Sequence, residues 1–432
     1  MNILAINPWI YDFAAYDFWL KPYGFLVILN YLKENGVNVD YIDCLDIKVT
    51  EATFGRGKYP NEIVQKPEIF KSIPRYFKRY GISIKDFEDK LPDKKFDYIL
   101  ITSSMTYWYP GIREAVKILR KHFPSAKIIL GGTYATLCNT HAKETSGCDL
   151  VFSNEHLEKF FETIGVDFNY TKLYESLPAY EDFYTKLDYV VLRTSWGCPF
   201  NCNYCAIKKL FPGFFRLPEQ RVIDFIKKYA VKGIKNFVLY DDAFFYEPTY
   251  AKSMLKKIDE LKLNINFHTP NALHLRFLDC NLALLLKKTG FTNPHFGLET
   301  LNPSLQKLWG DKVNRQDLIE GINLLKAAGF KNGEFSVYLL LGFPRQDLNN
   351  LKKDVEFLNS LGARVSLAEF SPVPGTTLFE EYPKEFNEPL LQNNSIFGFH
   401  KLTGGGKNIR DFWEIKNFVR ELNKSLRQEP LL

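Results

Sequence analysis

Short apolar runs alternate with amphipathic stretches along most of this 432-residue chain, and that rhythm constrains the fold more than any single residue does. In the first 165 residues, segments 2–7, 37–43, 97–103, 126–130 and 149–153 read as strands. Helical patterns lie between them at 23–35, 111–122 and 156–164. In the first, Phe25, Leu26, Leu29 and Leu32 share one face, and Asn35-Gly36 supplies a stop. Strands separated by helices of this length predict a doubly wound parallel sheet, an α/β fold. Residues 48–95 interrupt the rhythm with Pro60, Pro67, Pro74 and Pro92 among many Lys, Tyr and Phe, and read as an insertion of short helices.

A second region repeats the alternation. Segments 189–194, 235–240, 264–268, 291–298, 334–341 and 364–370 read as six strands, with helices such as 250–261 and 315–328 between them. Gly329 ends the latter. Six β/α units in series predict a partial (β/α)6 barrel, whose ligands sit at the strand C-terminal ends. The domain reading is 1–165 for the first sheet, 166–187 for a linker, 188–382 for the barrel and 383–432 for a C-terminal extension with a final helix at 411–425.

The chemistry concentrates just after the first strand of that barrel. Cys198, Cys202 and Cys205 stand at C-x3-C-x2-C. Three thiolates can hold three irons of a [4Fe–4S] cube and leave the fourth open to a chelating ligand. Electron-transfer clusters take four cysteines, and structural zinc sites take four ligands in closely spaced pairs. No fourth cysteine or C-x-x-H pair lies nearby, so the three-thiolate reading is preferred.

Residues 193–206 resemble the cluster loop of the radical S-adenosylmethionine (radical SAM) enzymes, with Tyr204 in the aromatic place before the third cysteine. Gly297-Leu298-Glu299-Thr300, Gly342-Phe343-Pro344-Arg345 and Pro372-Val373-Pro374-Gly375-Thr376 are similar to that family's turns after strands four, five and six. The resemblance implies a [4Fe–4S] cluster that cleaves S-adenosylmethionine (SAM) reductively, giving methionine and a 5′-deoxyadenosyl radical. It places Tyr204 near the adenine and Glu299 at the ribose or methionine end. Lys312 or Arg315 would pair with the methionine carboxylate. The family's Gly-Gly-Glu after strand two is replaced here by Tyr240-Asp241-Asp242-Ala243, so Asp241 or Asp242 inherits the contact to the SAM amino group as a charge-assisted hydrogen bond.

In the first region, Tyr23-Gly24, Thr102-Ser103-Ser104-Met105, Gly131-Gly132-Thr133-Tyr134-Ala135 and Asn154-Glu155 are similar to landmarks of the cobalamin (B12)-binding domains fused before radical SAM barrels. The resemblance implies a corrin over the strand ends. Gly131 and Gly132 would allow close approach, Ser103, Ser104 and Thr106 would donate hydrogen bonds, and Tyr107, Trp108 and Tyr109 would offer flat faces. The D-x-H-x-x-G motif that supplies an axial histidine is absent; His141 and His156 are the nearest histidines. Two readings stay open: a domain that binds cobalamin, and a Rossmann-like domain without it.

Composition narrows the remaining classes. Hydrophobic residues make up 46% and charged residues 25%, which is a globular balance, and the aromatic share of 16% suits large cores or planar ligands. The net charge of +6 is spread without a long basic run, so there is no clear nucleic-acid signal. The opening MNILAINPWI does not read as a signal peptide, and no apolar stretch is long enough to predict a membrane span. Seven cysteines with three clustered fit a reducing, cytoplasmic setting. The leading function is a cobalamin-dependent C-methyltransferase on a small-molecule or peptide substrate, supplied with electrons by a carrier such as ferredoxin or flavodoxin. The alternatives are a radical SAM enzyme of another reaction type, such as cyclisation, rearrangement or oxidation, and an iron–sulfur electron carrier or regulator. A methylthiotransferase is disfavoured, because Cys44, Cys138 and Cys148 are scattered rather than grouped as a second trio.

Overall fold

The computed structural model describes residues 1–48, 57–343, 346–397 and 409–426. Pro344 and Arg345 of the predicted turn after the fifth barrel strand, and parts of the insertion and of the C-terminal extension, lie outside the described residues. The chain forms two compact units. One comprises residues 1–187, 206–212 and 379–395, and the other comprises 188–205, 213–378 and 396–432. Among the described residues, no helix is long and apolar enough to cross a membrane.

The first unit is built on five parallel strands, β1 (Asn2–Asn7), β2 (Asn38–Asp43), β3 (Tyr98–Ile101), β4 (Lys127–Leu130) and β5 (Leu150–Val151), in the order β5-β4-β3-β1-β2. The order runs outward in both directions from the β1/β3 pair, as a doubly wound sheet requires, and such sheets hold ligands at their strand C-terminal ends. The strands are short apolar runs because both faces are covered: Ile3, Leu4, Ala5, Ile6, Ile99 and Ile128 are 0% exposed. Helix α1 (Tyr23–Glu34) buries Leu26, Leu29 and Leu32 as its periodicity predicts, and α2 (Tyr109–His122) buries Ile112, Ala115, Val116 and Leu119. Arg120, Lys121 and His122 in its last turn complement the helix dipole.

The insertion differs from its reading as short helices. Asn61–Ile63 and Lys78–Tyr80 are strands that pair antiparallel, and Lys78–Tyr80 also pairs with Ile10–Asp12. Among the described residues of the insertion, the helices are the short 3-10 turn Glu68–Phe70 and the α-helix Ile84–Asp89, the latter held by a capping box between Ser83 and Asp86. The prolines stop helices locally, and the strand partner Ile10–Asp12 lies far back in the sequence, so local pattern could not reveal the pairing. The segment read as a linker packs on the first unit, where Tyr31 donates to the Asp167 carbonyl at 3.0 Å and Asn30 to the Ser176 hydroxyl at 2.9 Å.

The second unit carries β6 (Tyr189–Leu192), β7 (Asn236–Leu239), β8 (Asn266–His268), β9 (His295–Glu299), β10 (Ser336–Leu341) and β11 (Arg364–Glu369). All six predicted strands are present, grouped as two three-stranded parallel sheets, β6-β7-β8 and β9-β10-β11. Single bridges, Phe267 to Phe291 and Leu273 to Phe296, stitch β8 to the β9 side, and no barrel closes among the described residues. Regular β9 begins later than its apolar run, because Asn293 has a positive φ of 48° and Pro294 follows. Helices α3 (Arg315–Ala327) and α4 (Leu348–Ser360) follow β9 and β10, each opened by a side-chain cap, Asn314 and Asp347.

Candidate functional site

The cysteine loop starts where β6 ends, and β7 alongside it supplies the fastening. Asp241, two residues past β7, is 3% exposed. Its carboxylate accepts from the Thr194 backbone N–H at 2.9 Å, the Thr194 hydroxyl at 2.5 Å and the Ser195 hydroxyl at 2.6 Å. Burial pushes its carboxyl above the usual range, and these bonds pull it back. Ser195–Gly197 then pairs with Phe214–Arg216 as an antiparallel hairpin flanking the cysteines. Asp242 points differently. One oxygen accepts from the Arg193 guanidinium at 2.6 Å and the other meets the Asn271 amide at 3.4 Å, while its side chain is 18% exposed. Of the two acids proposed for the SAM amino group, Asp241 is thus consumed by the loop, and Asp242 keeps lone pairs to offer.

Cys198 is buried, Cys202 half-buried and Cys205 exposed, and a turn closes between the last two through the Cys205 N–H to the Cys202 carbonyl at 3.1 Å. Burial pushes the Cys198 thiol up to about 11, against the pull of the Phe200 N–H on its sulfur, so loading with metal must displace a proton. Among the described residues, no three His, Cys, Asp or Glu side chains converge on one point as ligands of a single metal ion would. A cube needs no such convergence, since each thiolate binds a different iron. The fit of the donor set rests on three thiols within eight residues and on a cradle: Gly310, at φ +102°, lies where a Cβ would come 3.1 Å from the Cys202 sulfur and 3.3 Å from its Cα.

Beside this loop stands a three-part contact. Lys312 reaches the Glu299 carboxylate at 3.5 Å and lies 5.5 Å from the centre of the Tyr204 ring. Burial alone would depress the Lys312 ammonium; the Tyr204 hydroxyl and the Glu299 carboxylate outweigh it and hold the amine well above the usual lysine value. Burial raises the Tyr204 hydroxyl, and Glu299 adds to the effect. The amine therefore stays charged and the phenol neutral. Glu299 ends β9 with φ +67°, behind a register shift in its pairing with β10. A non-glycine residue in this left-handed region is strained, and such strain gathers at functional sites. Arg315 does not join this group: it is exposed and its guanidinium lies 4.0 Å from the centre of the Phe357 ring on α4.

Sequence reasoning missed several residues here. Trp309 packs edge-on against Tyr204 at 5.6 Å and against Phe343 at 4.8 Å. Phe200, inside the cysteine loop, packs edge-on against His274 at 4.8 Å. Asn203 Oδ1 and His274 Nδ1 are buried without a hydrogen-bond partner among the described residues. Only the bare order Trp309-Gly310-Asp311-Lys312 carried a signal, a glycine before a cation.

In the first unit, a cavity opens at the C-terminal ends of β3 and β4 and encloses about 500 Å3 of empty space, its open mouth included. Phe25 and Ile28 of α1 wall one side, Phe152, Leu157 and Phe160 another, and Thr102, Gly131 and Gly132 form its rim. The two glycines are not alike. A Cβ on Gly131 would meet nothing within 4 Å, whereas Gly132 has φ +91° and a Cβ there would lie 2.4 Å from the Ser103 carbonyl oxygen. Ser103 is a scaffold residue as well: its hydroxyl donates to the Gly131 carbonyl at 2.6 Å and accepts from the Tyr134 N–H at 3.1 Å. Ser104 is exposed at the strand end. Thr106 and Trp108 do not join the cavity. Thr106 donates to Gln392 at 2.5 Å and Trp108 to Asp12 at 2.8 Å, both within packing that involves segment 379–395. His141 is tied at both ring nitrogens, Nδ1 to the Tyr134 hydroxyl at 2.7 Å and Nε2 facing Glu388 at 3.7 Å, and His156 is exposed. Burial pushes the Cys138 and Cys148 thiols up to about 12 and about 11, and holds Cys44 well above the usual thiol value.

Comparison with known proteins agrees with this geometry. Residues 193–358 match the Radical SAM superfamily. An uncharacterized methyltransferase of Pyrococcus horikoshii is 26% identical over 213 residues, covering 48% of this chain and 45% of that protein. A GTP 3′,8-cyclase of Limosilactobacillus fermentum is 24% identical over 233 residues, covering 52% and 64%. The chain thus spans between under half and about two thirds of the length of these relatives. Among solved structures, the radical SAM methyltransferase TsrM from Kitasatospora setae, with tryptophan and a SAM analogue bound, shares the fold. Its TM-score is 0.64 at 14% identity, over 88% of this chain and 75% of that one. A radical SAM domain takes a [4Fe–4S] cluster and SAM.

The two aspartates are expected to separate by measurement. Asp241→Asn should lower folding stability by about 1.5–3 kcal/mol, the worth of a charged hydrogen bond, as read from the thermal midpoint. Asp242→Ala strands the buried Arg193 guanidinium, so its midpoint should fall too; what sets it apart is SAM binding, weakened by about 1.5–3 kcal/mol in calorimetry on the iron-loaded protein. Equal loss of SAM affinity in the two folded variants would refute the division.

Gly310→Ala tests the cradle. The added Cβ must push the Cys202 turn, so reconstituted protein should hold less iron than wild type while its far-ultraviolet circular dichroism stays unchanged. Full iron content in this variant would remove Gly310 from the account.

Proposed function

Since residues 193–358 form a radical SAM domain, we propose that the chain is a radical SAM enzyme that also holds cobalamin and methylates a carbon of its substrate. The observation that carries this reading is the cavity at the β3 and β4 ends, open beside Gly131 and walled by apolar side chains. Fold likeness to a methyltransferase, and a methyltransferase among the relatives, support it. The apolar walls of the cavity suit a flat aromatic group such as the benzimidazole that hangs from a corrin. Ser104 and the Gly131 backbone would border the ring itself.

Cys198, Cys202 and Cys205 would hold the cluster, which when bound would supply one electron to the SAM sulfonium, and a bound cobalamin would supply a methyl carrier. The protein's share is placement. Asp242 accepts from the SAM amino group, with Arg193 holding the aspartate in line. Lys312 neutralises the methionine carboxylate and draws Glu299 toward the same ligand. Tyr204 and Trp309 give the adenine an apolar wall. Asp241 keeps the loop at the end of β6, so that SAM and the thiols meet in one fixed geometry. A second reading, a radical rearrangement or ring closure without cobalamin, is favoured by the likeness to a GTP 3′,8-cyclase.

The test is loading. Anaerobic reconstitution should give about four irons per chain, and a reduced-cluster EPR spectrum that changes when SAM is added. Replacing Cys198, Cys202 and Cys205 together by Ala should abolish both, along with 5′-deoxyadenosine formation under dithionite; SAM cleavage surviving in the triple variant would overturn the cluster assignment.

Refolding with hydroxocobalamin should leave near-stoichiometric corrin absorbance after desalting. Gly131→Trp should lose the corrin and keep its iron, because bulk there enters the cavity without touching the Ser103 lattice. Since both His141 nitrogens are engaged, the cob(II)alamin EPR signal should show no splitting from a protein nitrogen. Wild-type protein that retains no corrin under any refolding condition would hand the function to the second reading.

A further inference from the structure

One buried titratable group in the second unit has no part in the account so far. His274 is 2% exposed and its Nδ1 is buried with no hydrogen-bond partner among the described residues. Leaving a ring nitrogen unpaired in the interior costs about 1–3 kcal/mol, so a native structure that does so needs a reason. The placement is also rigid. Leu273, the residue before it, inserts between β8 and β9: its N–H donates to the His295 carbonyl at 2.8 Å and its carbonyl accepts from the Gly297 N–H at 3.0 Å. That double bond to the β9 backbone fixes His274 at the level where β9 runs into Glu299.

Its surroundings point toward the thiols. The ring stands edge-on to Phe200, with planes at 88° and centroids 4.8 Å apart, and Phe200 lies between Cys198 and Cys202. Phe277 packs on the same ring at 6.2 Å. Burial, then the positive charges of Lys312 and Arg276, pull the imidazole down to about 3, so it is neutral at any physiological pH. A neutral imidazole carries one N–H, and Phe200, Phe277 and the bridged backbone hold this one in place.

We propose that His274 is a cofactor-contact residue, donating a hydrogen bond from its buried imidazole to a sulfur of the group held by Cys198, Cys202 and Cys205. The inference rests on the radical SAM reading. Hydrogen bonds to cluster sulfurs are among the levers that set reduction potential. A donor stabilises the more negative, reduced state, so this contact makes the cluster easier to reduce by its external one-electron donor. The ring touches the cysteine loop through Phe200, and that contact favours the cluster over SAM as its partner.

A mediated redox titration followed by EPR, without SAM, tests it. The variants are His274→Phe, which keeps the ring against Phe200 and loses the donor, and His274→Asn, which can present an N–H near the Nδ1 position. At the potential where the wild-type cluster is half reduced, His274→Phe should hold wild-type iron and show a reduced-to-oxidised ratio about tenfold lower, about 59 mV for a one-electron couple. His274→Asn should recover most of that ratio. An unchanged ratio in His274→Phe, an equal fall in both variants, or a shift that emerges only with SAM present would each overturn the proposal. So would loss of iron in His274→Phe and in a second apolar variant, His274→Leu, which would make the residue structural. Wild-type protein that binds no cluster would instead sink the radical SAM reading.

Discussion

The carboxylate of Asp241 is the fastening on which the site depends. Strands β6 and β7 run parallel, so their C-terminal ends emerge side by side with backbone groups that have no further strand to pair with. Asp241 fills that gap with three accepted hydrogen bonds to Thr194 and Ser195. The chain is thereby turned into the hairpin strand Ser195–Gly197, and the first cysteine follows at the next residue. Without this brace, the three thiols would sit on a loop free to choose its own exit angle. The adjacent Asp242 turns instead to Arg193 and Asn271, so two neighbouring acids hold different partners.

The rest of the site shows the same economy on the β9 side. Glu299 occupies a conformation that costs about 1–3 kcal/mol in backbone strain. The register shift in the β9–β10 ladder accommodates it, and the reward is a carboxylate turned back toward Lys312. Lys312 in turn is reached from a segment that must pass close by Cys202, which only a glycine at 310 permits. A strained glutamate, a positive-φ glycine and a half-buried lysine are each unfavourable alone, and here they stand together beside the cysteine loop.

What the sequence made legible follows from the range of the forces involved. The strands and helices of both units could be read because burial on one or two faces writes its period directly into local sequence. The cysteine trio could be read because its three thiols fall within eight residues, a spacing that local sequence displays. The antiparallel strands of the insertion could not, since Lys78–Tyr80 pairs with Ile10–Asp12, from 66 (78 − 12) to 70 (80 − 10) residues earlier, which carries no local mark. The two glycines at the cavity rim looked equivalent in sequence, and only the backbone at Ser103 distinguishes them. Arg315 and Lys312 looked interchangeable for a similar reason: three residues on the start of a helix turn one cation onto Phe357 while the other stays beside Glu299. Thr106 and Trp108 lie outside the cavity lining, beside segment 379–395, which returns from the far end of the chain.

Cofactor loading and local order must be linked in this architecture. Cys198 is a protonated thiol in a buried setting, so the first bond to iron expels a proton and replaces it with a metal charge. Burial opposes negative sulfur most strongly, with Asp242 and Cys205 adding to it, while the Phe200 N–H and the Lys312 charge favour it. An anionic group bound among the three thiols would add to the field that keeps Lys312 charged, and the charged lysine would draw an anionic ligand to the same place. Metal and carboxylate ligand thus share one electrostatic term, and each should bind more tightly in the presence of the other. The coupling runs through Lys312, which makes this one side chain the point where loading of the loop and occupancy of the β9 side become a single equilibrium.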